Sequence, residues 1–150
     1  MPSVSIEAPR QPEILELLRL GDELALSLYP AENYYGLAID ELDAPGVSVF
    51  VARVDGIAVG TAALVDRGDG SAELKRMFVL ESARGRGIAS LLLAALEEHA
   101  LANAIGVIQL ETGAPQPAAI ALYEKHGYRH IPNFGQYVDD PTSVCMEKRL

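Results

Sequence analysis

The chain has 150 residues, of which 49% are hydrophobic and 22% charged, and its formal net charge is −9. That length supports a single domain spanning 1–150 with a real core, and the composition is that of an ordinary globular protein. The acidic balance is the reverse of what a sequence-independent nucleic-acid binder carries. No apolar run is long enough to span a membrane, and Pro2, Ser3, Ser5, Glu7 and Pro9 interrupt any signal-peptide pattern in residues 1–10. The lone Cys145 excludes an intramolecular disulfide and a cysteine-cluster metal site; between Val144 and Met146 it reads as a small buried hydrophobe. The expected protein is cytoplasmic, with no metal, no nucleic-acid partner and no membrane partner.

Val4 to Glu7 alternates as a first strand. Pro12 opens a helix to about Leu28, with Ile14, Leu17, Leu18, Leu24, Ala25 and Leu28 on its apolar stripe and Gly21 weakening its middle. Tyr29-Pro30 ends it. A short helical pattern runs from Leu37 to Leu42 and stops at Pro45-Gly46. Val47 to Arg53 and Ile57 to Val65 read as strands joined by the hairpin signal Asp55-Gly56. After a turn at 66–70, Ala72 to Leu80 completes an antiparallel meander. Strand alternation then puts Glu73, Lys75, Met77 and Val79 on one face.

A turn rich in Gly and Arg follows, Ser82-Ala83-Arg84-Gly85-Arg86-Gly87, and then a helix to about Asn103. Such a turn aims backbone N–H groups and the positive helix end at one point, which suits an anion. Its small residues allow close approach, and Arg84 and Arg86 add charge. The phosphate loop that requires Lys followed by Ser or Thr fits poorly, because Ile88-Ala89-Ser90 follows the last glycine. The three-glycine dinucleotide fingerprint is absent as well. Downstream, Val107 to Thr112 is a compact buried strand. Gln116-Pro117 starts a helix to about His126 with Gly127 as its stop. Tyr128 to Ile131 and Ser143 to Lys148 are two closing strands. The order β-α-α-β-β-β-α-β-α-β-β makes an α/β fold: a mixed sheet of six or seven strands with helices on both faces. The unit over 72–112 is expected to be a parallel crossover.

This pattern resembles the GCN5-related N-acetyltransferase (GNAT) family. Arg84-x-x-Gly87-x-Ala89 matches the family's acyl-CoA pyrophosphate motif, and QPAAIALYEKHGY (116–128) matches the helix after its fifth strand. The two motifs stand in the family's order and structural context. The resemblance implies the GNAT-like acyl-CoA N-acyltransferase fold and direct acetyl transfer from acetyl-CoA to an amine of a small molecule or peptide, with no covalent enzyme intermediate. It implies that backbone amides of Gly85, Arg86, Gly87, Ile88 and Ala89 hold the pyrophosphate, beside Arg84. It also implies that Met77, Phe78 and Val79 run along the pantetheine arm, and that a bulge splays the fourth and fifth strands. Tyr123 matches the family's general acid for the departing thiolate. Gln116 stands where many members have Asn, which weakens that cofactor contact.

Glu73 matches the region where members place a base, and Glu111 is the alternative, as base or amine anchor. Acceptor selectivity falls to the first helices and the late loop, which nominates Tyr29, Glu32, Tyr34 and Tyr35, with Phe134 and Tyr137 opposite. His99, His126 and His130 lack metal-ligand spacing with carboxylates and read as surface or structural. Members are often homodimers, and no residue here fixes that assembly. Two other readings are a non-catalytic acyl-CoA-binding regulatory module and an unrelated nucleotide-binding domain. The antiparallel meander disfavours the latter.

Overall fold

The computed structural model describes residues 1–30 and 35–150. The elements follow the expected order: β1 (Pro2–Ile6), α1 (Pro12–Leu28), α2 (Ile39–Leu42), β2 (Val47–Val54), β3 (Ile57–Asp66), β4 (Ser71–Val79), α3 (Ile88–Ala102), β5 (Val107–Gly113), α4 (Pro117–Lys125), β6 (Arg129–Ile131) and β7 (Ser143–Arg149). Among the described residues, 3₁₀ turns at Glu81–Ala83 and Gly135–Tyr137 sit in the connections. The seven strands form one sheet in the order β1-β2-β3-β4-β5-β7-β6. Only β4 and β5 pair in parallel, across the crossover through α3. The hairpin between β2 and β3 has both Asp55 (φ 53°) and Gly56 (φ 80°) in the left-handed region. Those angles match the twist of the flanking strands, as the Asp-Gly dipeptide predicts.

The sheet separates two apolar layers. On one face α3 and α4 bury Ile88, Leu92, Leu93, Leu96 and Tyr123 against Phe50, Ala62, Leu64, Leu74, Ile108, Leu110 and Met146. On the other face α1 lays Ile14, Leu17 and Leu18 on Val49, Val51, Ala58 and Ala63. The alternation of β5 and β7 follows from this: Ile108, Leu110 and Met146 face α3, whereas Gln109, Glu111 and Cys145 have the opposite parity. Cys145 is buried, in line with its reading as a core residue.

Two irregularities open this sheet. The register between β3 and β4 shifts by one residue between Thr61↔Phe78 and Ala63↔Lys75. The extra residue lies at Arg76, whose φ is +59°. Thr61 Oγ1 donates to the Arg76 carbonyl at 3.3 Å and Arg76 pairs with Asp22 of α1, so the bulge is tied from both sides. The bulge overturns one expectation. Ala72 and Leu74 face α3, and so do Met77 and Val79 beyond the bulge, while Phe78 packs toward α1. Glu73 and Lys75 therefore point to the α1 side, away from Met77 and Val79, because an inserted residue inverts the parity of everything after it.

The second irregularity is a fork. β4 and β5 pair only from Ser71↔Val107 to Leu74↔Leu110. Beyond that point β4 stays with β3 to Val79, while β5 stays with β7 as far as Gly113↔Ser143. The two central strands thus diverge in mid-sheet.

Candidate active site

A cleft of about 210 Å³ fills the fork and runs from α1 to α4. Leu18, Gly21 and Ala25 of α1 form one wall, Lys75 to Phe78 the β4 edge, Glu111 to Gly113 the β5 edge, and Ala119, Leu122 and Tyr123 of α4 the far side. Tyr29, Tyr35, Tyr137 and Thr142 complete the lining. A concave, mostly apolar slot with a few converging polar groups is the usual form of a ligand site.

Tyr123 lies in the last turns of α4, only 5% exposed, in an edge-on pair with Tyr128 whose ring centroids are 5.7 Å apart. Tyr123 lines the cleft, and its hydroxyl makes no hydrogen bond to any of the described residues. Burial, with the Glu111 charge as a second cause, holds the phenol above its ordinary range, so it stays protonated. Gln116 caps the start of α4, and its Oε1 accepts from Tyr29 Oη at 2.8 Å. Tyr29 reaches this far because residue 113 is glycine: its phenol occupies the space where a Cβ on Gly113 would stand. Burial, Glu111 and Asp140 push the Tyr29 hydroxyl up to about 12.

Three further candidates converge here. Glu111 borders the cleft and is half-buried; Ser143 Oγ donates to its Oε2 at 2.6 Å. Desolvation raises its pKa first of all, the Ser143 bond and Lys75 oppose the rise, and Asp140 and Glu73 add to it. Tyr35 donates to Asp140 Oδ2 at 2.7 Å and packs edge-on against Tyr137 at 4.8 Å. Tyr137 is buried; it donates to Glu73 Oε2 at 2.7 Å and accepts from Lys75 Nζ at 2.9 Å.

Glu73 itself does not line the cleft. It sits behind Tyr137 and is bound by Arg67 at 3.2 Å, with Lys75 at 3.7 Å. Phe134 also lies outside, stacked under Arg67 at 5.2 Å and edge-on to Tyr137. Glu32 and Tyr34 fall outside the described residues. Lys75 and Thr142, which do line the cleft, were missed by sequence reasoning as site residues. Nothing local marks Thr142, and the alternation that groups Lys75 with Glu73 goes wrong only in adding Met77 and Val79, which lie beyond the bulge on the other face.

The Gly-rich turn stands at the end of β4, past the cleft. Met77 and Phe78 line the slot, and Val79 leads out of it toward the turn. Gly85 (φ 79°) and Gly87 (φ 76°) are left-handed, and a Cβ on either would meet nothing within 4 Å. Gly87 caps α3. The N–H groups of Gly85, Arg86 and Gly87 bond to no backbone acceptor among the described residues, and those of Ile88 and Ala89 belong to a first turn without an intrahelical partner. The Ile88 side chain is buried in the core, so only its backbone faces the turn. Arg84 donates to the Val79 carbonyl at 3.0 Å and stacks on Phe78 at 5.8 Å, while Arg86 is exposed. Consecutive N–H donors at a helix start, with open space at Gly85 and Gly87, suit a diphosphate, and a slot between diverging strands suits an extended arm leading to Tyr123.

The histidines are engaged elsewhere. His99 packs on Phe50, His126 meets Ser90 and His130 meets Glu124. Among the described residues no group of His, Cys, Asp and Glu could hold a metal, and no helix is long and apolar enough to cross a membrane.

The family model described as "Acetyltransferase (GNAT) family" matches residues 13–128. The chain is 40% identical to the "IAA acetyltransferase" of Azospirillum brasilense over the whole length of both. A solved structure from Klebsiella pneumoniae, assigned to the acyl-CoA N-acyltransferases, is 34% identical with a TM-score of 0.85, covering 100% of this chain and 98% of that one. A GNAT acetyltransferase from Elizabethkingia anophelis with acetyl-CoA bound shares the fold at 17% identity and a TM-score of 0.74, covering 99% and 98% of the two chains. With a motif-bearing turn, a forked sheet and a buried phenol in the family's order, the chain belongs to the acetyltransferase (GNAT) family and is an N-acetyltransferase.

Proposed function

We propose that this enzyme transfers the acetyl group of acetyl-CoA to an amine by direct attack, with Tyr123 as the acid and Glu111 as the proton acceptor. The observation that carries the reading is the pair of groups on the two sides of one slot. One is a protonated phenol whose hydroxyl bonds to no described residue; the other is a half-buried carboxylate with one hydrogen-bond partner among the described residues. Acetyl-CoA supplies an activated thioester when bound. The amides of Gly85 to Ala89 bind its diphosphate, with Arg84 and Arg86 adding charge. The β4 edge at Met77 to Val79 and the Gln116 side chain flank its pantetheine arm. Tyr123 Oη donates its proton to the sulfur as the carbon–sulfur bond breaks. Glu111 accepts a proton from the attacking amine, directly or through one water. Tyr29, Tyr35 and Tyr137 wall the acceptor end.

Glu73 has a different part in this proposal. Bound by Arg67 and Tyr137, it orients Tyr137 and Lys75 rather than touching the amine.

The test is the pH dependence of kcat/KM in the parent and in Glu111→Gln. Burial raises the Glu111 pKa above the ordinary carboxylate value, so a base at this site gives activity that climbs with pH through that raised value and falls away below it. Glu111→Gln is expected to lose about 100-fold or more in kcat and to lose this acidic limb. The stability consequence has the opposite sign. A carboxyl whose folded pKa is raised favours the fold at low pH, and that contribution disappears as pH rises through the folded value. Glu111→Gln should therefore melt at or above the parent temperature at pH 8. A variant with parental turnover and an unchanged acidic limb removes Glu111 from the proton path.

A further inference from the structure

We infer that the acceptor is a free α-amino acid, recognised as a zwitterion by Lys75 and Glu111; this rests on the reading of the cleft as an amine-acetylating site. Pairing between the parallel strands β4 and β5 ends at Leu74↔Leu110. Lys75 and Glu111 are the next residues on the two strands. They share the parity of the Glu73↔Gln109 pair, so both stand at the crotch of the fork on the α1 side. Both line the cleft. They do not form an ion pair with each other, although each is within electrostatic reach of the other.

Each of the two is only partly satisfied by the protein. Glu111 accepts one hydrogen bond, from Ser143 to Oε2, which leaves Oε1 for a ligand N–H. Lys75 is 10% exposed. One of its three donors goes to Tyr137 Oη, and Glu73 at 3.7 Å is too distant for a hydrogen bond. Glu73 is moreover shared with Arg67 at 3.2 Å. Arg67, Lys75 and Glu73 together therefore carry one unbalanced positive charge, and Glu111 beside them carries one negative charge. The remaining nearby carboxylate, Asp140, is occupied by Tyr35 and by the Thr142 hydroxyl and N–H.

A largely buried cation and a half-buried anion held apart at a cleft are costly unless a ligand supplies both counter-charges. An α-amino acid does so from a single carbon: its carboxylate meets Lys75 and its amine meets Glu111. A plain amine or a protein lysine side chain would bring a positive charge past Lys75 with nothing to offset it. Tyr137 strengthens the assignment. Accepting from Lys75 and donating to Glu73, and packed between Tyr35 and Phe134, it fixes where the ammonium points.

The test reads binding rather than turnover. The twenty protein amino acids are titrated calorimetrically into enzyme saturated with CoA, and the tightest binder is compared with its carboxamide and with the amine lacking its carboxylate. At least one amino acid should bind, and both analogues should bind roughly 30-fold more weakly, the size of a lost charge-assisted bond. Lys75→Met should bring the three within about threefold of one another, and Lys75→Arg should restore most of the gap. Absence of binding by all twenty, equal binding of the analogues, or a gap that survives in Lys75→Met would overturn the proposal. The parental gap decides the matter even if Lys75→Met does not fold. Amino acids that bind with this gap and are never acetylated support the clamp and overturn the transfer reading instead.

Discussion

Replacing Tyr123 by Phe is expected to lower kcat about 100- to 1,000-fold while leaving acetyl-CoA affinity within about threefold. The variant removes one oxygen and nothing else. The phenol bonds to no described residue, so no buried donor or acceptor loses its partner, and the ring keeps its edge contact with Tyr128. Melting temperature should stay at the parent value or rise slightly. A thiolate leaving group must be neutralised as it departs, and Tyr123, on the α4 side of the cleft, is the acid proposed for that step. Its depth in the core keeps the phenol protonated throughout the working range of the enzyme, so no titration of Tyr123 should shape the activity profile below pH 10. Rapid-mixing kinetics separate its effect on chemistry from any effect on binding. Parental turnover in the variant would take Tyr123 out of the reaction.

The second large effect is expected at the turn. Gly87→Glu should weaken acetyl-CoA binding by about 100-fold or more, because a carboxylate placed some 4–5 Å from a phosphate costs about 3–4 kcal/mol at an effective dielectric of 20. The fold should survive. A Cβ at this position meets no atom within 4 Å, and the left-handed φ of 76° costs a non-glycine residue roughly 1–2 kcal/mol. Gly87→Ala separates the two causes: it carries the same backbone strain without the charge, and should bind acetyl-CoA within about tenfold of the parent. Calorimetric titration with circular dichroism on both variants checks this. Tight binding by Gly87→Glu would move the diphosphate away from the turn.

The elements that lie open in the sequence are those whose signals are local. Asp55-Gly56 states its hairpin, Gly87 before Ile88-Ala89-Ser90 states a helix start, and Gln116-Pro117 with Gly127 brackets α4. The relative order of helices and strands follows from these markers. The bulge at Arg76 carries no such marker. Lys75-Arg76-Met77 alternates acceptably in either register, and a non-glycine residue at φ +59° is imposed by what surrounds it: Thr61 on its carbonyl and Asp22 on its side chain. That single inserted residue inverts the parity beyond it, so Met77 and Val79 leave the face that plain alternation has them share with Glu73 and Lys75. Contacts between distant segments were equally hidden. Tyr29 and Gln116 are 87 positions apart, and Tyr137 and Glu73 are 64 apart. The choice between Glu73 and Glu111 turns on those long-range bonds. Both are strand glutamates in sequence, and only the fold shows one tied up by Arg67 and Tyr137 and the other bordering the slot.

The most direct measurement is a crystal structure of the enzyme with CoA. The account predicts that the diphosphate lies on the amides of Gly85 to Ala89, that the pantetheine arm enters the fork between β4 and β5, and that the sulfur lies within hydrogen-bond reach of Tyr123 Oη. CoA bound elsewhere, or a sulfur remote from Tyr123, would contradict it.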